Sequence, residues 1–354
     1  MWLHTMVMAL VSAGGSFAAP AGGGSLDDIA LGEEERISVL AGRVVAKVVP
    51  TTDRTEVASV VAMRAPMNLD HLLEYARAPV GVRRREDSLG AGRLANPPAL
   101  SDFAALRLDE RDLESLANCR VGACRVRLPA DAIVRLGTGV ERASHLRKAD
   151  QEEAFRGILV NEAAAYLAGG HAALPPYADG PNAVHRAAGL SELMRRPLFL
   201  HEGAPDVEEY LRSFSSERPR LIDEFLSWRQ EKFWRKPLVG LYHTSIWEAS
   251  QGDERRILMV SKQFYASHFY ESAIEVLEIR KKASEHEADL AFVSRVRADI
   301  RPSGFNWLER ALLRRLIKGR LEDQFGGLKE RFAQADETRR RAGESSLEER
   351  RARR

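Results

Sequence analysis

Between Lys236 and Ile300 the chain gathers apolar, β-branched and aromatic residues into short runs, and this stretch constrains the fold more than any other. Three runs follow one another, Pro237 to Trp247, Arg256 to Tyr270 and Ser272 to Arg280, and a fourth covers Ala288 to Ile300. Runs of this composition bounded by turn residues read as strands. Gln251-Gly252-Asp253 supplies a hairpin turn, with a glycine for positive φ and an aspartate able to bond its own backbone. In the fourth run Leu290, Phe292, Ser294, Val296, Ala298 and Ile300 alternate with Arg295, Arg297 and Asp299, the pattern of a half-buried strand.

Upstream, Arg43 to Val49 and Glu56 to Arg64 are valine-rich strands around the turn Pro50-Thr51-Thr52-Asp53, and Asn68 caps a helix through His71, Leu72, Leu73 and Tyr75. Residues 81 to 101 lose periodicity. Arg83, Arg84 and Arg85, then Gly90, Gly92, Asn96, Pro97 and Pro98, read as loop, with the arginine triplet a solvated feature. From Ser101 to Phe233 the pattern is helical, in Leu108 to Leu116, Gln151 to Leu167 and Val207 to Trp228, and the proline-containing loop Gly170 to Gly189 is a connection or a flap. A long amphipathic helix closes the chain. Its stripe, Trp307, Leu308, Ala311, Leu312, Leu316, Leu321, Phe325, Leu328 and Phe332, is expected to pack on the sheet, with Leu312, Leu316 and Phe325 facing it. The cations off the stripe, Arg310, Arg314, Arg315, Lys318 and Arg320, leave peripheral membrane contact open. Residues 335 to 354 are nearly all charge and are expected to be a disordered tail.

The N-terminus argues for export. Met1 to Val11 is apolar apart from His4 and Thr5 and runs into small residues up to Gly24, with Ser16-Phe17-Ala18 and Ala19-Pro20-Ala21 as signal-peptidase sites, although no Lys or Arg precedes the apolar segment. Residues 1 to 24 are therefore expected to be a signal peptide or disordered leader, and the protein periplasmic or secreted. No later stretch reaches the roughly 18 apolar residues needed to span a bilayer. The only two cysteines, Cys119 and Cys124, fit that compartment: Gly122 lets the loop between them turn back, and a disulfide there would contribute about 2 kcal/mol in the chain-entropy model. A chain of 354 residues, 44% hydrophobic, can bury a sizeable core, and 53 basic against 51 acidic residues give no nucleic-acid footprint over the whole surface.

Catalytic signatures are missing from the sequence. It has no Gly-x-Ser-x-Gly elbow, no phosphate loop and no His-Glu-x-x-His helix: after His201-Glu202 and His286-Glu287, Pro205 and Leu290 stand where the second histidine is due. No cofactor or metal is implied. What remains is a set of polar and aromatic residues on the strands, of which Tyr242, His243, Lys262, Tyr265, His268 and Tyr270 are the candidate ligand contacts. Ser267 and His268 are adjacent, so on a regular strand they point to opposite faces and cannot act on each other, whereas Lys262, Phe264, Ala266, His268 and Tyr270 share a face.

A valine-rich hairpin, helices, several antiparallel strands and a long last helix together resemble the helix-grip fold of START-like lipid-transfer and polyketide-cyclase-like proteins. Asn118-Cys119-Arg120-Val121-Gly122-Ala123-Cys124 with Leu128-Pro129, and Ser261-Lys262-Gln263-Phe264-Tyr265-Ala266-Ser267-His268, are similar to blocks in exported bacterial proteins of unknown function, over residues 40 to 333. The resemblance implies an α+β fold for residues 36 to 333, a curved antiparallel sheet gripping the C-terminal helix, with the helical region at about 101 to 233 inserted into it. It also implies a cavity for a hydrophobic or amphipathic, lipid-like small molecule. Two alternatives are an enzyme using the same cavity, with His268 or His243 as acid/base, and an envelope-associated interaction protein.

Overall fold

The computed structural model describes residues 31–53, 55–78, 88–138, 148–195, 207, 209–211, 221–233, 236–298 and 307–352. The leader, Arg83 to Arg85 and His201-Glu202 lie outside the described residues. The chain is α+β. It runs α1 (Glu33–Leu40), β1 (Val45–Val49), β2 (Glu56–Pro66), α2 (Leu69–Ala76) and β3 (Ser88–Arg93), then α3 (Glu110–Ala117), α4 (Ala130–Thr138), α5 (Lys148–Gly169) and α6 (Arg186–Arg195). The strands β4 (Leu221–Phe233), β5 (Lys236–Gln251), β6 (Glu254–Ala266), β7 (Tyr270–Lys282) and β8 (Glu287–Ala298) follow, and α7 (Trp307–Ala352) is last.

All eight strands form one open, curved antiparallel sheet in the order β1-β2-β8-β7-β6-β5-β4-β3. Strands β4 to β8 pair as neighbours in sequence, as expected where connections are short. The Gln251-Gly252-Asp253 hairpin is present, with Gly252 at φ +62°. Both faces of the sheet are covered, so strands such as β6 are buried on successive residues instead of alternating. On one face Val61, Met63, Ile246, Met259, Leu277, Leu290 and Phe292 pack with Leu69, Leu72 and Leu73 of α2 and with Phe325, Leu328 and Phe332 of α7. On the other, Val60, Leu258, Val260 and Val276 meet Val39 of α1 and Leu190 and Leu193 of α6. Farther along that second face, Leu226, Trp228, Leu241 and Phe264 meet Phe155, Leu159 and Tyr166 of α5.

Three expectations need correction. Leu221–Phe233 is strand β4, not the end of a helical region reaching Phe233. Its apolar residues fall at helical spacing because both of its faces are buried, Phe225 toward α7 and Leu226 with Trp228 toward α5. The glycine-rich stretch read as loop contains β3, where Gly92 sits opposite Trp228. A Cβ at Gly92 would come within 2.6 Å of the Trp228 indole nitrogen, so the glycine is there to let the indole cover the strand. Leu316 is 49% exposed and does not face the sheet, while Phe325 is fully buried; the side chain of Leu312 lies outside the description. Helix α7 continues through the charged stretch beyond 335 to Ala352.

Candidate functional site

The register of the sheet arranges its α7 face in rows. One row, Ile246–Met259–Leu277–Phe292–Val61–Ala46, runs across β5, β6, β7, β8, β2 and β1 and is wholly apolar. Two residues along each strand the parallel row is Thr244–Ser261–Glu275–Ser294–Ser59, a polar belt over five strands. Antiparallel partners share a face, so the belt and the apolar row are neighbours on one surface. Thr244 Oγ1 and Ser261 Oγ lie 3.2 Å apart within the belt.

Beyond the belt lie Ser227, Arg229, Tyr242 and Gln263. Gly240 makes their arrangement possible: a Cβ there would come within 2.7 Å of the Tyr242 ring, which lies over the bare backbone. The Arg229 guanidinium stacks on that ring at 4.2 Å and stands 3.7 Å from Glu275. Gln263 donates from Nε2 to the Tyr242 hydroxyl at 2.8 Å. These groups are all buried, yet Ser227 Oγ and Gln263 Oε1 have no hydrogen-bond partner. A buried acceptor or hydroxyl left bare costs about 1 to 3 kcal/mol.

The other predicted residues go elsewhere. His243 and Lys262 are direct cross-strand partners, but on the opposite face, beneath α5 and Leu211. His243 Nε2 donates to Glu224 Oε1 at 2.9 Å, and a carboxylate only accepts, so in the neutral ring Nδ1 accepts from the Tyr166 hydroxyl, also at 2.9 Å. Tyr210 and Ser245 donate to the same Glu224 oxygen. Lys262 is fully buried, its Nζ 3.5 Å from the Leu211 carbonyl and 5.9 Å from the Tyr166 ring centre. Burial lowers its ammonium to about 8 against the pull of Glu224. Burial, then the Tyr210 and Glu224 charges, push the Tyr166 hydroxyl well above its usual value.

Tyr265 faces the helical layer and donates to the Arg127 carbonyl at 3.1 Å. The shared face expected for Lys262 through Tyr270 breaks down at two points. Pairing shifts between Leu241 and Tyr242, so Phe264 is an extra residue on β6 and both it and Tyr265 turn to the helices, Phe264 stacking on Tyr166 at 4.1 Å. The strand then ends at Ala266, and Phe269 adopts φ +60°. His268 therefore stands in the turn, 2.9 Å from Asp112, whose other oxygen lies 3.2 Å from Lys236. Burial raises the Asp112 carboxyl, but the His268 hydrogen bond and the His268 and Lys236 charges outweigh it and hold it below the usual value. Tyr270 begins β7, its carbonyl accepting from Arg127 at 3.1 Å.

Tyr242 is thus on the α7 face, while His243, Lys262 and Tyr265 face the helical layer and His268 lies in the turn. Arg229 and Ser227 were hidden in a stretch that read as helix, and Glu275, Ser261 and Ser294 looked like ordinary polar positions. Only the register that aligns them on one row distinguishes them. Cys119 and Cys124 are joined in the structure, with Cα atoms 4.6 Å apart. Among the described residues no group of three or more His, Cys, Asp or Glu side chains is placed to hold a metal ion. No protein-family model matches the chain, and no curated protein or solved structure matches it either.

Proposed function

We propose that the protein is an exported binding protein for an amphipathic, lipid-like small molecule, held between the sheet and α7 in the manner of a helix-grip fold. The observation that carries this reading is the abrupt change along the α7 face. An apolar floor of Ile246, Met259, Leu277 and Phe292 adjoins the polar belt, and beyond the belt stand a stacked arginine and two buried polar atoms without partners. An apolar tail lies on the floor, and the head group meets Arg229, Gln263 and Ser227. The strand order, with β2 beside β8 and the last helix on that face, supports the helix-grip reading, in which α3 to α6 are an elaboration covering the opposite face. The disulfide supports an oxidising compartment.

An acid/base enzyme built on the same surface is not favoured, because His243 and Lys262 face away from it and His268 lies beyond the end of β6. Native mass spectrometry of the protein purified from its own host tests the binding reading. A co-purified amphiphile is expected, with occupancy reduced at least tenfold in Arg229→Gln and in Tyr242→Phe, and unchanged in His268→Ala. Purification without any small molecule, or equal occupancy in the two variants, would remove the proposal.

A further inference from the structure

Charge is scarce on the α7 face near the polar belt. Across β5 to β8 the belt reads Thr244–Ser261–Glu275–Ser294 and the next row reads Tyr242–Gln263–Ala273–Val296. Glu275 is the only charged side chain in these two rows. At the β3 end of the second row Arg93 is taken up by Asp223, 2.6 Å away, and rests on the Phe225 ring. The charge of Glu275 is answered from farther off. Arg229 starts on β4, three strands from β7, and its guanidinium passes over the Tyr242 ring to stand 3.7 Å from the Glu275 carboxylate. Gly240, the cross-strand partner of Arg229, leaves room for the ring on which the guanidinium rests. At that separation the contact is a charge pairing and not a hydrogen bond, and both side chains are largely out of water.

This pair limits what the polar end of the surface can hold. A phosphate or carboxylate drawn to Arg229 also comes close to Glu275, so the attraction is offset by a repulsion that little water is present to screen. A neutral head group leaves the pair intact. The neighbouring groups favour one that donates hydrogen bonds. Gln263 Oε1 only accepts, and it is buried without a partner, as is Ser227 Oγ. An ionised carboxylate has no proton to give that oxygen, whereas a hydroxyl does. Thr244, Ser261 and Ser294 add hydroxyls that both donate and accept.

From this balance, and resting on the binding reading above, we infer that Glu275 selects the head group by charge. The amphiphile admitted is a neutral one whose head carries hydroxyls, such as a monoacylglycerol or a long-chain alcohol, and lipids with an anionic head are refused.

Monomyristoylglycerol and myristoyl lysophosphatidate share a tail and a glycerol and differ in the phosphate. Both are offered in equal amounts to the delipidated full chain at neutral pH, and the bound species are read by native mass spectrometry. The neutral lipid is expected to exceed the other by about tenfold. Glu275→Gln leaves the Arg229 charge uncompensated and should move the ratio about tenfold toward the lysophosphatidate. Glu275→Asp keeps the charge and should keep the parent's preference. A purely structural role for Glu275 would lower both occupancies together and leave their ratio unchanged. Preference of the parent for the phosphate-bearing lipid, or equal binding of the two, would overturn the inference while leaving the binding reading in place. A folded Glu275→Gln with the parent's ratio would overturn it as well; if that variant does not fold, the ratios of the parent and of Glu275→Asp decide. Binding of neither lipid to the parent would remove the binding reading and this inference with it.

Discussion

Lys262 shows how a single residue weighs on this fold. Its ammonium is fully buried and its folded value, about 8, lies below the ordinary 10.5. Below pH 8 both folded and unfolded chains hold the proton, and the folded state bears the full cost of a buried charge. Between 8 and 10.5 only the unfolded chain holds it, so the stability of the parent rises with pH. Lys262→Met is therefore expected to be more stable than the parent at pH 7, on the order of 3 kcal/mol, with the gain fading as pH approaches 10.5. Urea denaturation of both proteins at pH 7 and pH 10 checks this. A variant less stable than the parent at pH 7 would mean that the amine's contacts with Glu224 and the Leu211 carbonyl outweigh its desolvation.

At the scale of elements, α7 is two helices in energetic terms. Phe325 is fully buried, its ring centre 5.0 Å from that of Phe292, and its truncation to alanine should cost about 3 to 5 kcal/mol. Leu316→Ala should cost less than about 0.5 kcal/mol, because the side chain is already in water. Thermal or chemical denaturation of the two variants separates them, and a similar loss in both would show that Leu316 is covered in solution. The helical periodicity was legible, and so were β5 to β8 and their hairpin. β3 and β4 were not. A Gly-rich strand beneath a tryptophan and a strand buried on both faces each lack the alternation by which a strand is recognised, and both gain their stability from partners distant in sequence.

For the whole molecule, the structure joins Cys119 and Cys124 at the rim of the helical layer, with Cys119 buried. The folded protein should accordingly resist alkylation at both positions until reduced, and reduction should leave it folded, since so short a loop contributes about 2 kcal/mol. Mass spectrometry after iodoacetamide treatment, with and without reductant, reads this directly. Labelling of both thiols without reductant would exclude the bond.

The sequence by itself determined that this is an α+β chain with consecutive antiparallel strands and a long last helix, because those features depend on local spacing, on glycine at a turn and on the repeat of apolar residues. It also determined that His243, Lys262 and Tyr242 lie on strands. Which face each one occupies was decided only by the tertiary structure. A shift in pairing at Leu241 and Tyr242 and the end of β6 at Ala266 set the direction of the side chains from Phe264 to Tyr270. The polar belt depends on the register of five strands at once, and Glu224 with Tyr166 reaches His243 across gaps of 19 and 77 residues. Pairing partners that far apart are chosen by the burial of whole faces, which no local pattern records.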